Sequence, residues 1–280
     1  MVYEIDAHAK VNLALDVLKK RQDGYHEIRS IMQEISLCDK LIFKEIKTGF
    51  KLHTNNKNLP VDKSNLVYRA YEKMAQIANT NVGVEVEIIK NIPLSAGLAG
   101  GSTNAAATLL MLNEIWKLDL PLEKLMQIGE ELGSDVAFCL VGGTKLAEGK
   151  GERLKEVKPF NNKHILLVNP GFEISTPYVY SKIKIDNKRV DIEGLIKAIE
   201  ADDLFSVANK LENKMEEVVF KEFPIIRDIK DYMLKNGAIG ALMSGSGASV
   251  FAIYEDVEKL EHTKGKMEKI YPYCFHTLTI

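Results

Sequence analysis

The sequence is poor in cysteine, and the few cysteines it has are not arranged for cross-linking or for zinc. Three occur in 280 residues, at positions 38, 139 and 274, and no two of them form a CxxC pair. None of the six histidines lies in the HExxH spacing of a zinc protease. An odd number of separated thiols argues against a disulfide framework and is typical of a reducing cytosol.

Long apolar runs are also lacking. No stretch approaches the ~18 consecutive apolar residues that cross a bilayer. The first residues, Met-Val-Tyr-Glu-Ile-Asp, do not have the basic and then apolar pattern of a signal peptide. We therefore expect a cytoplasmic protein without a membrane partner.

Neither sign of charge is in excess. Lys plus Arg number 37 and Asp plus Glu number 39, which gives a formal charge of −2. Such a chain has no overall attraction for nucleic acid, so we expect no nucleic-acid partner. Any anion that it binds has to be held by local geometry.

The length fits one large domain or two ordinary ones, and 46% hydrophobic residues can fill a sizeable core. The pattern of predicted elements changes near residue 159. This change predicts one domain over 1–158 and a second over 159–280. Whether the protein is a monomer or a homodimer stays open.

The amino-terminal segment alternates apolar and polar residues from Tyr3 to Val17, which predicts a strand. Lys10 and Asn12 share its polar face. A strand lysine most often faces solvent, but a lysine on a rigid strand can also hold a phosphoryl oxygen. Asp23-Gly24 then predicts a turn, followed by a second strand that begins at Tyr25.

Strands and helices follow in mixed order, which predicts an α/β fold. Helix ends are assigned from capping residues and glycines. The predictions are strands at 41–46, 82–88, 165–168 and 274–280, helices capped by Ser64 and Ser134, a helix over 122–132 ending at Gly133, helical stretches over 191–220 and 224–236, a hairpin between the glycines at 142–143 and 149–151, and a strand–glycine turn–strand over 238–254.

The segment 93–107 is the sharpest signal for a ligand. Its glycines, at 97, 100 and 101, let the backbone approach a ligand closely. Ser102-Thr103-Asn104 then opens a helix, whose first N–H groups and dipole favour an anion. The loop is neither a Walker A motif nor GxGxxG. A plain strand-to-helix turn remains the alternative.

Several other residues have two interpretations each. Gly245 and Gly247 form either a hairpin turn or a phosphate-binding nest. Asp135 either caps a helix or accepts a hydroxyl proton during phosphoryl transfer. The aromatic pairs Tyr25-His26 and Tyr178/Tyr180 are ambiguous when each is taken alone.

Three motifs, in this order, resemble those of the GHMP kinases. They are the strand segment 9–13, the loop 93–106 and the glycine turn 244–251. Ala99 and Thr103 stand where that family commonly has glycine and serine. Further segments resemble the GHMP kinases that act on 4-diphosphocytidyl-2-C-methyl-D-erythritol: residues 23–27, 64–66, 132–137, 147–152 and 170–177.

The resemblance implies a fold, an activity and cofactors. The fold is a two-domain α/β (α+β) GHMP kinase fold, whose first domain is similar to domain 2 of ribosomal protein S5 and whose second is ferredoxin-like. The activity is ATP-dependent phosphorylation of the 2-hydroxyl of 4-diphosphocytidyl-2-C-methyl-D-erythritol on the non-mevalonate route to isoprenoid precursors, with Mg²⁺. Two alternatives remain: another small-molecule kinase of the family, such as a homoserine kinase, or a non-catalytic sensor.

The resemblance also implies residue roles. It assigns catalysis to Lys10 and Asp135, and substrate binding to Asn12, Tyr25, His26, Thr176 and Tyr180, with Tyr178 as a substitute for Tyr180. Tyr25 and Tyr180 would sandwich the cytosine. It assigns ATP binding to Asn65, Pro93, Leu94, Ser95, Ala96, Gly97, Leu98, Ala99, Gly100, Gly101, Ser102, Thr103, Gly245 and Gly247, with Ser102 also near the metal.

Overall fold

The computed structural model describes residues 1–78 and 82–280 as a mixture of strands and helices. The strands are β1 Val2–Lys20, β2 His26–Ile46, β3 Phe50–Thr54, β4 Gly83–Ile89, β5 Thr144–Gly149, β6 Arg153–Glu156, β7 His164–Asn169, β8 Glu212–Asn213, β9 Gly240–Met243, β10 Val250–Tyr254 and β11 Tyr273–Leu278. The helices are α1 Leu66–Ala78, α2 Gly100–Ile115, α3 Leu122–Leu132, α4 Val136–Val141, α5 Thr176–Lys182, α6 Ile192–Glu200, α7 Leu204–Asn209, α8 Glu216–Glu222, α9 Pro224–Lys235 and α10 Val257–Met267. The predicted α/β class is confirmed.

The chain forms two compact units that are interleaved in sequence. Unit 1 consists of Met1–Ala9, Cys38–Leu94 and Ala99–Val141. Unit 2 consists of Lys10–Leu37, Ser95–Leu98 and Gly142–Ile280. Because β1, β2 and the glycine loop each contribute residues to both units, no single position in the sequence separates the two units. The division into domains 1–158 and 159–280 stays a prediction.

Unit 1 combines a small sheet with helices α1 to α4. The second part of β2 pairs with β4 in antiparallel register, from Lys40↔Ile89 to Ile46↔Gly83, and β3 lies parallel to β4. Helices α1 and α2 pack on each other and share one apolar core with these strands. Helix α2 is buried over 103–109 because its small Ala and Thr side chains permit close packing.

Unit 2 is built on two groups of strands. In the first, β1 pairs in parallel with β8, and β2 pairs with β5, which forms a hairpin with β6. The second is an antiparallel sheet in the order β11-β7-β10-β9. The β9 and β10 strands are buried at every position, as expected for short apolar runs covered on both faces.

Most predicted elements are confirmed. The turn at Asp23-Gly24 is closed by a 2.8 Å hydrogen bond from the Arg21 N–H to the Tyr25 carbonyl, and Gly24 adopts φ +86°. Helix α3 ends at Leu132, directly before Gly133. The strand, glycine turn and strand at 238–254 are β9, the intervening turn and β10.

Three element predictions are wrong. The stretch 41–46 is a strand, but it is the end of β2 and not a separate element. In the middle of β2, Ser36 and the Leu37 N–H hydrogen-bond to Thr277. Ser64 does not cap α1. The Asn65 Oδ1 accepts from the Val67 N–H at 2.9 Å, whereas Ser64 donates to Asp62.

The third error concerns the helical stretch at 191–220, which is α6, α7, the short strand β8 and α8. Asp191 and Asp203 each start a new helix, because each carboxylate accepts from the backbone N–H three residues later. Helix α5, after Ser175, was not predicted. None of the described helices combines the length and the apolar character that crossing a membrane requires.

Candidate functional site

Lys10 and Asn12 lie inside the protein and not on a solvated face. Residues 10–17 of β1 are all buried, and Lys10 is only 4% exposed. The Lys10 Nζ donates to the Asn12 Oδ1 at 2.8 Å. The Asn12 Nδ2 donates to the Ser30 Oγ at 2.8 Å. The interpretation of Lys10 as a solvent-facing strand lysine is therefore wrong, and the strand holds a cation and an amide in fixed positions.

Loop 95–98 is fastened to two distant segments of unit 2 through consecutive carbonyl groups. The Lys10 N–H donates to the Leu98 carbonyl at 3.2 Å, and the Ser249 N–H donates to the Ala96 carbonyl at 3.3 Å. The Ser244 Oγ donates to the Gly97 carbonyl at 2.8 Å. The three sequence motifs thus meet in unit 2, although Ser244 and Gly97 are 147 residues apart in the chain.

Gly97 is the position where this junction requires glycine. Its φ is +75°, and a methyl group on its Cα would lie 2.2 Å from the Ser244 carbonyl oxygen. Such a contact with backbone cannot be relieved by a side-chain movement. The close approach of loop and turn therefore depends on the missing Cβ.

The glycine turn between β9 and β10 is held by a residue that sequence reasoning missed. The buried Asn213 donates from its Nδ2 to the carbonyls of Met243 and Gly245, both at 2.8 Å. The turn also reaches a predicted substrate residue, because the Ser246 and Thr176 hydroxyl groups lie 2.7 Å apart. The sequence around Asn213 does not reveal this role, because the carbonyl groups that it binds are 30 and 32 residues away in the chain.

The predicted base-binding residues contain one preformed stack. The rings of His26 and Tyr180 lie 4.7 Å apart at an interplanar angle of 16°. Tyr25 is 52% exposed. Tyr178 donates its hydroxyl to Glu222 at 2.6 Å. Tyr180, and not Tyr178, therefore shares a platform with His26.

His26 has an electrostatic environment that favours the neutral form of its ring. Burial is the larger cause that lowers the pKa of His26 below its ordinary value of 6.5, and the charge of Lys20 acts in the same direction. A neutral imidazole carries one donor and one acceptor nitrogen. The stacked ring can therefore read both a donor and an acceptor on a ligand.

In unit 1, the start of α2 lies beside the break between α3 and α4. Ala99, just before α2, adopts φ +57°, a conformation that favours glycine. A methyl group on Gly133 would lie 3.7 Å from the Ser102 Oγ. Asp135 follows two residues after Gly133, is half-buried, and accepts at its backbone carbonyl from the Cys139 N–H at 3.0 Å.

Asn65 belongs to the same neighbourhood of unit 1. Besides capping α1, it donates from its Nδ2 to the Pro60 carbonyl at 2.6 Å. The next residue, Leu66, lies 3.6 Å from where a methyl group on Gly101 would be. The described residues contain no cluster of three or more His, Cys, Asp or Glu side chains suited to a metal ion. Ser102 supplies one hydroxyl oxygen at the helix start.

Comparison with known proteins identifies relatives over the whole chain. The model of the GHMP kinases N terminal domain matches residues 65–143, and that of the GHMP kinases C terminal domain matches 195–272. A 4-diphosphocytidyl-2-C-methyl-D-erythritol kinase from Clostridium kluyveri is 41% identical, with 99% of each chain covered. Another from Clostridium perfringens is 42% identical, with 98% of each chain covered.

Solved structures of GHMP kinases have the same fold as this chain. The crystal structure of a 4-(cytidine 5'-diphospho)-2C-methyl-D-erythritol kinase superposes with a TM-score of 0.86 at 30% identity, over 99% of this chain and 100% of that chain. A homoserine kinase from Cytophaga hutchinsonii superposes with a TM-score of 0.79 at 19% identity, over 100% of this chain and 94% of that chain. At 19% identity, the match to the homoserine kinase shows only that the two proteins share a fold. The expected GHMP kinase fold is confirmed.

Replacing Gly97 by Ala tests the junction of loop and turn. We expect Gly97→Ala to lower the free energy of unfolding by ~1–2 kcal/mol for its positive φ and by ~1–3 kcal/mol more for the overpacked contact with Ser244. Gly49→Ala is the matched control, because Gly49 has φ +80° and nothing within 4 Å of its added methyl. Equal losses in urea unfolding for the two variants would contradict the close approach.

Proposed function

The chain belongs to the GHMP kinases, and we propose that it transfers the γ-phosphoryl group of ATP to the 2-hydroxyl of 4-diphosphocytidyl-2-C-methyl-D-erythritol. The product would lie on the non-mevalonate route to isoprenoid precursors. The observation that favours this acceptor is the stack of His26 on Tyr180, whose ring centroids lie 4.7 Å apart. A kinase for a small alcohol has no use for an aromatic platform, whereas a cytosine ring stacks on one.

Phosphoryl transfer needs a polyphosphate held in place and charge stabilised as it shifts. Backbone N–H groups of loop 93–103, at the start of α2, would bind the phosphates, together with the turn at Gly245 and Gly247. This arrangement lets a chain of formal charge −2 bind a triphosphate without a basic surface. Lys10, fixed by Asn12, would stabilise negative charge on the transferred group.

The reaction step follows from the residue types. The acceptor oxygen forms a bond to the γ-phosphorus while the bond from that phosphorus to the β,γ-bridging oxygen breaks, and ADP leaves. Asp135 would accept the hydroxyl proton. This role is supported by the position of Asp135, which directly precedes α4. It lies two residues after Gly133, and the Ser102 side chain lies beside Gly133.

Magnesium is proposed to enter with ATP. It would neutralise phosphate charge during transfer, and Mg²⁺ is usually held by few protein oxygens and by substrate phosphates. The Ser102 hydroxyl, in the first turn of α2, suits such a hard cation. We also propose a cytoplasmic location, which the three cysteine thiols support.

The acceptor would be bound in unit 2. We propose that the cytosine takes the face of Tyr180 that the His26 ring covers, with Tyr25 on its other face, and that the displaced His26 ring contacts its polar edge. Asn12 and Thr176 are proposed to contact the remainder of the acceptor. Thr176 is held by the Ser246 hydroxyl at 2.7 Å, so an acceptor bound there would lie next to the glycine turn.

A coupled ADP-release assay with a panel of alcohols tests the proposal. We expect turnover with 4-diphosphocytidyl-2-C-methyl-D-erythritol and little with homoserine or mevalonate, because only the first carries a base for the His26–Tyr180 platform. Mass spectrometry of the product confirms that one phosphoryl group has been added. Comparable kcat/KM values for homoserine would contradict the proposed acceptor.

Replacing Asp135 by Asn tests the proton acceptor. We expect kcat to fall by ~10²–10⁴-fold, with both KM values little changed, because the amide keeps its shape but cannot accept the proton. Asp203→Asn is the control, since Asp203 also lies at the start of a helix and accepts from the Ser206 N–H at 3.0 Å. A variant at position 135 that retains near-full kcat would exclude the role.

Replacing the two tyrosines of α5 separates stacking from surface contact. We expect Tyr180→Ala to raise KM for the cytidyl acceptor about 5–150-fold, which corresponds to the loss of a stacking energy of ~1–3 kcal/mol, and to leave KM for ATP unchanged. Tyr178→Ala, two residues away, removes the hydroxyl contact with Glu222 and should change neither KM. If Tyr178→Ala has the larger effect on the acceptor, the stacking assignment moves to Tyr178.

A further inference from the structure

A buried carboxylate in unit 1 contacts the chain immediately before and after loop 93–103. Asp39, in β2, is 0% exposed. Its Oδ1 accepts from the backbone N–H groups of Asn91, at 2.7 Å, and of Ile92, at 2.8 Å. Its Oδ2 accepts from the Asn104 Nδ2 at 2.8 Å. One side chain thus fixes the last residues before the loop and the fifth residue of α2.

Lys90 completes this cluster. Its Nζ forms a buried ion pair with the Asp39 Oδ2. Burial lowers the pKa of Lys90, and the charge of Asp39 opposes that shift. A methyl group on Gly100 would lie 2.8 Å from the Lys90 Nζ, so the ammonium group lies against the first residue of α2.

The donors around Asp39 indicate its charge state. The Asp39 carboxylate accepts four hydrogen bonds. Only the ionised form accepts through both oxygens without donating, because the protonated form carries an O–H donor. An ionised carboxylate under a loop that binds phosphates would repel the ligand. The Lys90 ammonium offsets that charge, so Asp39 can fix the backbone without opposing the anion.

Stability alone does not explain this arrangement. A buried ion pair is often no more stabilising than a pair of apolar side chains of similar size. Apolar residues, however, could not accept the N–H groups of Asn91 and Ile92 or the amide of Asn104. Those hydrogen bonds fix backbone and orientation, which is what a phosphate-binding loop needs before its ligand arrives.

We propose that Asp39, neutralised by Lys90 and linked to Asn104, is the positioning residue for the ATP phosphates. It touches neither substrate and acts through the backbone of the loop. The inference rests on the proposed ATP site but not on the identity of the acceptor alcohol.

The test measures nucleotide binding directly, by calorimetric titration of ADP into the purified full-length protein, with KM for ATP as a second readout. We expect Asp39→Asn and Asn104→Ala each to weaken ADP binding about 10–100-fold, because displaced binding groups lose affinity steeply. KM for the acceptor should change far less. Asn104→Ala keeps the other three donors to Asp39 and is the variant used if Asp39→Asn does not fold.

A double variant distinguishes positioning from stability. In Asp39→Asn with Asn104→Asp, the amide at 39 can still accept from the Asn91 and Ile92 N–H groups and can donate to the new carboxylate. Asn104 and Lys90 both donate to the same Asp39 oxygen, so we expect the new carboxylate to pair with Lys90. We expect this exchange to restore most of the ADP affinity that Asp39→Asn loses. Asp16→Asn is the control, because Asp16 is also buried and accepts from the Val190 N–H at 3.2 Å; it should leave ADP binding unchanged.

Each outcome decides a separate point. Single variants that melt at a lower temperature but bind ADP within twofold of wild type would overturn the inference and leave Asp39 a structural residue. Loss of ADP affinity without rescue in the double variant would also overturn it. A wild-type protein that binds ADP but does not phosphorylate the cytidyl alcohol would contradict the proposed acceptor and leave this inference intact.

Discussion

The backbone carbonyl groups of loop residues 96–98 fasten the glycine loop to the rest of unit 2. They accept hydrogen bonds from Lys10, Ser244 and Ser249, which lie in two segments far from the loop in sequence. A loop fixed through its carbonyl oxygens needs no further ordering when a ligand binds. Preorganised N–H groups are what stabilises charge in a transition state. The glycine at 97 matters because it permits this close contact.

Charge in this protein is also held at fixed positions. The whole chain carries a formal charge of −2, so long-range attraction does not bring a triphosphate to it. Two of the lysines near the functional motifs are instead buried and fixed. Lys10 is held by Asn12, and Lys90 is paired with Asp39. The fixed charge of Lys10, in a dry environment, would act more strongly on a ligand than a solvated charge, whereas the charge of Lys90 is offset by Asp39.

Sequence patterns were most informative where one segment defines its own structure. Alternation predicted β1, and the glycine clusters predicted the loop and the turn between β9 and β10. The patterns failed where a residue depends on a distant partner. The ion pair of Asp39 joins residues 51 positions apart, because β2 and β4 pair in one particular register. Asn213, which binds carbonyl groups of the glycine turn, and the stack of His26 on Tyr180 are hidden from sequence for the same reason.

We propose that backbone amides of the loop, of the start of α2 and of the glycine turn bind the nucleotide phosphates. Hydrogen–deuterium exchange with and without ADP measures this most directly. We expect slower exchange on ADP binding for amides within 95–104 and 244–249, with little change in helices α9 and α10. Protection confined to other segments, with these amides unchanged, would contradict it.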